Sequence, residues 1–122
     1  MKFARFLILC SISILVSCSE ADKETEAKLI GHWDGDSWFI EDQLKNYDMS
    51  RIYFDFMDGN RYEARLGDSF EKGTFRVYGD KLYTQNGAAA QIVTNINKLT
   101  SDSLVINMNR GGQREQLVLI RK

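Results

Sequence analysis

The chain has 122 residues, with 16 basic and 17 acidic side chains and a net charge of −1 when its histidine is neutral. A chain of this length forms one small domain, and no stretch concentrates the Lys and Arg that would neutralise nucleic-acid phosphates. Two cysteines and no prolines leave packing and backbone hydrogen bonds as the sources of stability.

The N-terminal residues have the parts of a secretory signal. Lys2 and Arg5 form a charged end, residues 6–16 are almost free of polar side chains, and Ser17 is a small residue before Cys18. An apolar run of this length is too short to cross a hydrocarbon core, which takes about 20 residues. Residues 1–17 are therefore predicted to be a signal peptide that is removed.

The motif Leu15-Val16-Ser17-Cys18 resembles the lipobox of bacterial lipoproteins. This resemblance implies that Cys18 carries a lipid and becomes the first residue of the mature chain. The expected location is the cell envelope, as an outer-membrane lipoprotein facing the periplasm or the cell surface. The alternative is an ordinary signal peptide cut nearby, which leaves Cys18 as a free thiol without a partner.

Residues 18–28 are predicted to be a lipidated, flexible tether, because residues 19–28 contain no large apolar side chain whose burial could offset the cost of ordering them. Glu20 and Asp22 resemble the surface-export signals of Bacteroidetes lipoproteins. A plain solvated spacer is an equally good interpretation.

Strand patterns begin at Leu29. Residues 29–33 open a first strand, which resumes at 37–40 after the turn-prone residues 34–36, and residues 41–48 are compatible with a loop or one helical turn. The clearest pattern is a hairpin, in which apolar residues alternate along 52–56 and 62–66 around the Asp58-Gly59 turn.

Five more strands follow, around 70–78, 82–83, 90–96, 104–108 and 117–119. In the first of these the apolar positions change parity across Gly73, which predicts a β-bulge. Short connections make sequential strands antiparallel neighbours. The prediction is an all-β domain over 29–122, an eight-stranded antiparallel up-and-down β-barrel, with a two-sheet sandwich as the alternative.

Four motifs carry a family resemblance: Gly31-His32-Trp33 on the first strand, Phe54-Asp55-Phe56-Met57-Asp58-Gly59, Gly73-Thr74-Phe75, and Gly79-Asp80-Lys81-Leu82. Together they resemble the lipocalin-like domains of the calycin superfamily, in particular those of small Bacteroidetes lipoproteins. The resemblance implies that Trp33, together with Gly31, closes the barrel floor and that Arg121 stacks across it. Arg121 shares parity with Leu117 and Leu119; if Val118 and Ile120 form the inner face instead, Arg121 is solvated.

No catalytic constellation is recognisable, and the chain is not expected to be an enzyme. His32 is the only histidine, and its place next to Trp33 favours a structural role. A zinc site of His and Cys ligands cannot be assembled from one histidine and one mature cysteine. No metal and no cofactor are expected.

Two functions are compatible with an eight-stranded barrel, which its own side chains fill or which holds one small ligand. The first is binding of a small hydrophobic ligand inside the barrel, with residues 41–48 as a lid and a lining of Phe54, Phe56, Tyr62, Phe75, Ile92 and Ile106. The second is a solid barrel that contacts a protein or glycan through its loops or through Tyr53, Tyr78 and Tyr83.

Overall fold

A computed structural model describes residues 19–122; Cys18 and the signal peptide lie outside these residues. The described chain holds one helix, nine strands and a single 3-10 turn at Met49–Arg51. The helix α1 covers Glu20–Leu29, and the strands are β1 Gly31–Ile40, β2 Gln43–Leu44, β3 Ile52–Met57, β4 Arg61–Leu66, β5 Ser69–Tyr78, β6 Lys81–Gln85, β7 Ile92–Leu99, β8 Ser103–Arg110 and β9 Gln113–Ile120.

Eight of these strands close into a barrel. They follow the order β1-β3-β4-β5-β6-β7-β8-β9, and β1 pairs with β9 to complete the ring. Every pairing is antiparallel, and the two-residue β2 folds back on the end of β1. The predicted eight-stranded up-and-down barrel is confirmed, and the closing pair rules out an open sandwich.

The predicted turn at residues 34–36 is wrong, because β1 runs through it as one strand. A register shift between Gly35 and Ser37 takes up the irregularity, and it moves the inward positions from Trp33 to Trp38. Gly35 is required by close packing, since a Cβ there would lie 2.9 Å from the Ile52 Cβ.

The predicted bulge at Gly73 is also wrong, because β5 pairs with β4 without interruption from Ser69 to Thr74. Phe70 points outward and is 55% exposed, so it never belonged to the inner face. A Cβ on Gly73 would lie 1.8 Å from the Gln85 carbonyl oxygen. Glycine at position 73 therefore allows the close approach of β6. The apolar pattern changes parity across Gly73 only because the exposed Phe70 is apolar.

The predicted tether is a helix over most of its length. Ser19 caps α1 by accepting a hydrogen bond from the Asp22 backbone N–H at 3.1 Å. The helix docks through carboxylates: Glu26 accepts from the Val77 N–H at 3.0 Å and Asp22 from the Gly79 N–H at 2.9 Å. The composition of residues 19–28 did not indicate this helix, because its contacts with the barrel are polar.

This contact covers an open edge of β5. Beyond Thr74 the strand has no β4 partner, and the Asn60 carbonyl accepts from the first free N–H, that of Phe75, at 2.8 Å. Four helical residues rise about 6 Å, which matches the spacing of two strand residues. Asp22 and Glu26 thus continue the row of acceptors along the edge.

The two ends of the barrel differ in what closes them. We call the end that contains α1 and the turns 58–60, 79–80 and 100–102 the floor, and the end that contains the segments 41–51, 67–68, 86–91 and 111–112 the mouth. Within residues 19–122, no helix has the length and apolar character needed to cross a bilayer. The core runs between the two ends and includes Leu29, Trp33, Ile52, Phe54, Phe56, Tyr62, Ala64, Phe75, Val77, Leu82, Leu104, Ile106, Leu117 and Leu119.

Candidate functional site

The floor brings together the three residues expected there. Trp33 is fully buried, its indole Nε1–H donates to the Leu29 carbonyl at 2.8 Å, and the Arg121 Cζ lies 4.1 Å from its ring centroid. Arg121 Nη2 also donates to the carbonyls of Lys28 and Ile30, both at 3.0 Å. A Cβ on Gly31 would lie 3.5 Å from this guanidinium.

Arg121 therefore joins the last strand to the end of α1. The last carbonyls of a helix have no partner within the helix, and a cation at this end also interacts favourably with the helix dipole. The floor is a structural closure that ties the N-terminal helix to the C-terminus of the chain.

The six residues expected to line the interior occupy two levels. Five are buried, and Ile92 is 42% exposed at the mouth. Phe56 and Phe75 pack edge to face with ring centroids 4.9 Å apart, and with Tyr62 they lie in the packed core. Phe54, Ile92 and Ile106 line a cavity nearer the mouth.

This cavity has a volume of about 210 Å³. Its wall combines apolar side chains with a smaller number of polar ones, as ligand pockets do. The lining residues are Phe54, Leu66, Leu82, Ile92, Val93, Ile106 and Met108 with Glu71, Thr84, Thr94, Asn109 and Arg110. The barrel is thus filled towards its floor and open towards its mouth.

Glu71 and Tyr62 connect the cavity to the packed core. The Tyr62 hydroxyl donates to Glu71 Oε2 at 3.2 Å. Burial raises the pKa of the Tyr62 hydroxyl to about 12, and the negative charge of Glu71 adds to the shift. The Tyr62 hydroxyl therefore stays protonated at neutral pH and donates a hydrogen bond that orients Glu71 at the cavity wall.

A second space, of about 370 Å³, lies between the barrel and the segment 41–51. It shares Leu66 and Arg110 with the apolar cavity. Trp38 and Glu115, which are 8% and 6% exposed, also line it. The Arg110 Nε lies 3.2 Å from Glu115 Oε2, an ion pair whose geometry does not make a hydrogen bond.

The segment expected to be a lid forms one wall of this second space. The turn of Glu41 and Asp42 leads into β2, and Tyr47 meets the Trp38 ring edge to face at 5.5 Å. The Arg114 backbone N–H donates to Glu41 at 2.7 Å. This hydrogen bond is the main cause that lowers the pKa of the Glu41 carboxyl, and it ties the segment to β9.

His32 lies on the outer face of the barrel and is about half exposed. Its Nδ1 lies 2.5 Å from Asp55 Oδ1 and its Nε2 lies 2.8 Å from Asp34 Oδ1. The hydrogen bond to Asp55 raises the pKa of His32 most; burial opposes the shift and Asp34 adds to it. Among residues 19–122, no three His, Cys, Asp or Glu side chains are grouped as a metal site requires.

A family model for the lipocalin-like domain matches residues 29–106. The chain belongs to this lipocalin-like family. Its barrel is similar to that of an uncharacterized protein from Bacteroides eggerthii DSM 20697, with a TM-score of 0.60 and 11% identity over 77% of this chain and 99% of that one. A lipocalin-like protein from Bacteroides uniformis ATCC 8492 gives a TM-score of 0.57 and 13% identity over 74% of this chain and 96% of that one. A search of curated proteins finds no match.

The polar residues of this lipocalin-like barrel were missed from the sequence. Strict alternation places Glu71 on the same face as Phe75, and Glu115 on the same face as Leu117. The assumed bulge at Gly73 reversed the first of these assignments. Trp38 was obscured by the bulge in β1, which the sequence pattern made look like a turn.

Proposed function

We propose that this protein binds a small hydrophobic ligand inside the mouth half of its barrel. The cavity of about 210 Å³ within the barrel carries this proposal. Its volume is below the 300–1,000 Å³ of sites for drug-sized ligands, but apolar cavities of about 150 Å³ bind a molecule the size of benzene. A short alkyl chain or a single ring fits this range.

The same geometry favours binding over catalysis. Both ring nitrogens of His32 face carboxylates on the outer surface, so the histidine does not face the cavity. The lipocalin-like family is typically one of binding proteins, and we propose that this member is not an enzyme.

Matched variants test the binding proposal. Octan-1-ol is titrated into residues 19–122, which hold the closed barrel and its docked helix, while the methyl NMR signals of Leu82 and Ile106 are followed. We expect saturable shifts that Ile92→Trp abolishes, because the larger ring fills the cavity, and that Tyr83→Trp on the outer face retains. Methyl signals that do not move would favour a solid barrel that contacts a partner through its surface.

We also propose that Cys18 carries a lipid anchor and that the protein resides in the outer membrane. The sequence motif supports this, and α1 begins two residues after Cys18, so a lipid would tether the floor close to the bilayer. Such a tether leaves the mouth directed away from the membrane.

The cysteine itself provides the test of the anchor. Cys18→Ala should leave the protein as an unlipidated precursor or a soluble periplasmic product in cell fractionation. Ser19→Ala is the matched control and should remain in the membrane fraction with an acyl label. Acyl labelling of the Cys18→Ala protein would contradict the anchor.

A further inference from the structure

We infer that the second space at the mouth holds the head group of the ligand, and that this group both accepts and donates a hydrogen bond, as an alcohol or a primary amide does. This inference rests on the proposed function and specifies its ligand. It assigns Trp38 Nε1 as the donor to the head group and Glu115 Oε2 as the acceptor from it.

The observation is a pair of buried polar atoms without hydrogen bonds. Within residues 19–122, the Trp38 Nε1–H and the Glu115 Oε2 have no hydrogen-bond partner. Both residues are more than nine-tenths buried, and both line the second space. Native proteins pair the great majority of their buried polar atoms, because an unpaired one is destabilising.

The register of the strands brings the two side chains to one place. Trp38 is opposite Leu117 and Ile40 is opposite Glu115, so Trp38 and Glu115 are diagonal neighbours on the inner face. Diagonal neighbours are separated by about 7–8 Å, and both side chains line the same space. A single ligand group can therefore contact both atoms.

The charged side chains around the second space favour a neutral head group on the ligand. Two cations, Arg51 and Arg110, and two anions, Asp48 and Glu115, line this space. Arg110 lies in ion-pair range of Glu115, Arg51 donates to Asp68 at 2.5 Å, and Asp48 accepts from the Ser50 hydroxyl, so each charge has a partner. A carboxylate head would meet the Glu115 charge, and an ammonium head has no lone pair to accept the Trp38 N–H. A hydroxyl or a carboxamide meets both requirements.

The apolar cavity continues the same site. Leu66 and Arg110 line both spaces, so a head group at Trp38 and Glu115 directs an attached chain along Leu66 towards Phe54 and Ile106. The expected ligand is a short amphipathic molecule with its polar end at the segment 41–51 and its apolar end inside the barrel.

Four compounds of equal chain length test the head group: octan-1-ol, 1-methoxyheptane, octanoate and octylamine. We expect octan-1-ol to bind residues 19–122 about tenfold more tightly than 1-methoxyheptane, which accepts a hydrogen bond but cannot donate one. The alcohol should shift the indole N–H signal of Trp38 and leave that of Trp33, which already donates to Leu29, unchanged. Equal binding of alcohol and ether, or tighter binding of either ion, would overturn the inference.

Trp38→Phe provides the matched variant, with Tyr83→Phe on the outer face as its control. The first should weaken octan-1-ol binding about tenfold and the second should not change it. The wild-type indole signals keep the test independent of how Trp38→Phe folds. An unmoved Trp38 signal with shifted Leu82 and Ile106 methyl signals overturns the head-group assignment alone, whereas unmoved methyl signals with every compound overturn the proposed function as well.

Discussion

The floor and the mouth of the barrel differ in how a buried tryptophan N–H is paired. At the floor, the Trp33 N–H donates to the Leu29 carbonyl, and Arg121 donates to two carbonyls while its guanidinium covers the Trp33 ring. At the mouth, the Trp38 N–H and Glu115 Oε2 have no hydrogen-bond partner among the described residues, although Arg110 lies in ion-pair range of Glu115. The Arg121 Nε at the floor has none either, but the Nη2 of the same guanidinium is hydrogen-bonded. We propose that two tryptophans of one strand thus serve different purposes, Trp33 in stability and Trp38 in ligand recognition.

This contrast explains how so small a barrel can hold a cavity. The floor half packs Phe56, Tyr62 and Phe75 tightly and joins α1 to Arg121 at the end of β9. The mouth half contains the cavity, the second space and two of the three buried polar atoms that lack a hydrogen-bond partner in the described residues. The packed half therefore supplies stability, and the other half holds the open volume.

The largest effect is expected from Glu26, which holds the helix on the floor. Glu26→Ala leaves the Val77 N–H without its acceptor and removes one acceptor from Asn60. We expect a loss of about 2–3 kcal/mol in the free energy of unfolding, measured by urea denaturation. Glu24→Ala on the exposed side of α1 is the control, with a change within about 0.5 kcal/mol. Equal midpoints for the two variants would show that the carboxylate docking is not needed for stability.

Substitutions of the two tryptophans should have effects of intermediate size on the free energy of unfolding, and the two effects should differ. Trp33→Phe removes a hydrogen bond and weakens a cation–π contact, so it should lower the free energy of unfolding by about 2 kcal/mol. Trp38→Phe removes an N–H that has no protein hydrogen-bond partner and loses mainly the packing of the larger ring, so we expect a smaller loss, of about 1 kcal/mol, without ligand. Thermal melts of both variants measure the difference. A larger loss for Trp38→Phe would contradict the division between floor and mouth.

The smallest effect concerns pH at the outer surface near the floor. Because Asp55 and Asp34 favour the imidazolium, the pKa of His32 is higher in the folded protein than the ordinary value of about 6.5 in the unfolded chain. The stabilisation is fully present below about pH 6.5 and is lost as the pH rises through the raised pKa. The exposure of His32 keeps the effect small.

An NMR titration of the His32 ring checks this direction. Asp55→Asn should lower the pKa of His32 and flatten the decrease in melting temperature between pH 6 and pH 8. Asp36 is exposed and lies on β1 with His32. Asp36→Asn should leave the pKa of His32 and the pH dependence of the melting temperature unchanged. A pKa of His32 below 6.5 in the wild-type protein would exclude the two carboxylates as its dominant partners.

The strand hairpins could be predicted because the side-chain alternation and the turn residues that indicate them lie close together in the sequence. The alternation in residues 52–66 and the Asp58-Gly59 turn gave the correct β3–β4 register, in which Phe54 faces Ala64 and Phe56 faces Tyr62. Gly59 has the positive φ of +78° that such a turn requires. The apolar core followed from the same alternation.

The helix α1 and the mouth could not be predicted in this way. Glu26 looks like a solvated residue in the sequence, and its buried position depends on the edge of β5, which lies 51 residues away. The two predicted interruptions, at 34–36 and at Gly73, were wrong because glycines that permit close strand packing resemble turn and bulge signals. Each of these features depends on a contact between distant segments.

The sequence by itself determined an all-β barrel, because the period of side-chain alternation and the turn residues act within a few positions of each other. Only the tertiary structure decided which end is filled and which is open. The register shift in β1, which turns Trp38 inward, and the docking of α1 contribute to that difference. The reason is that a cavity is the volume left between side chains of different strands, and no single strand encodes it.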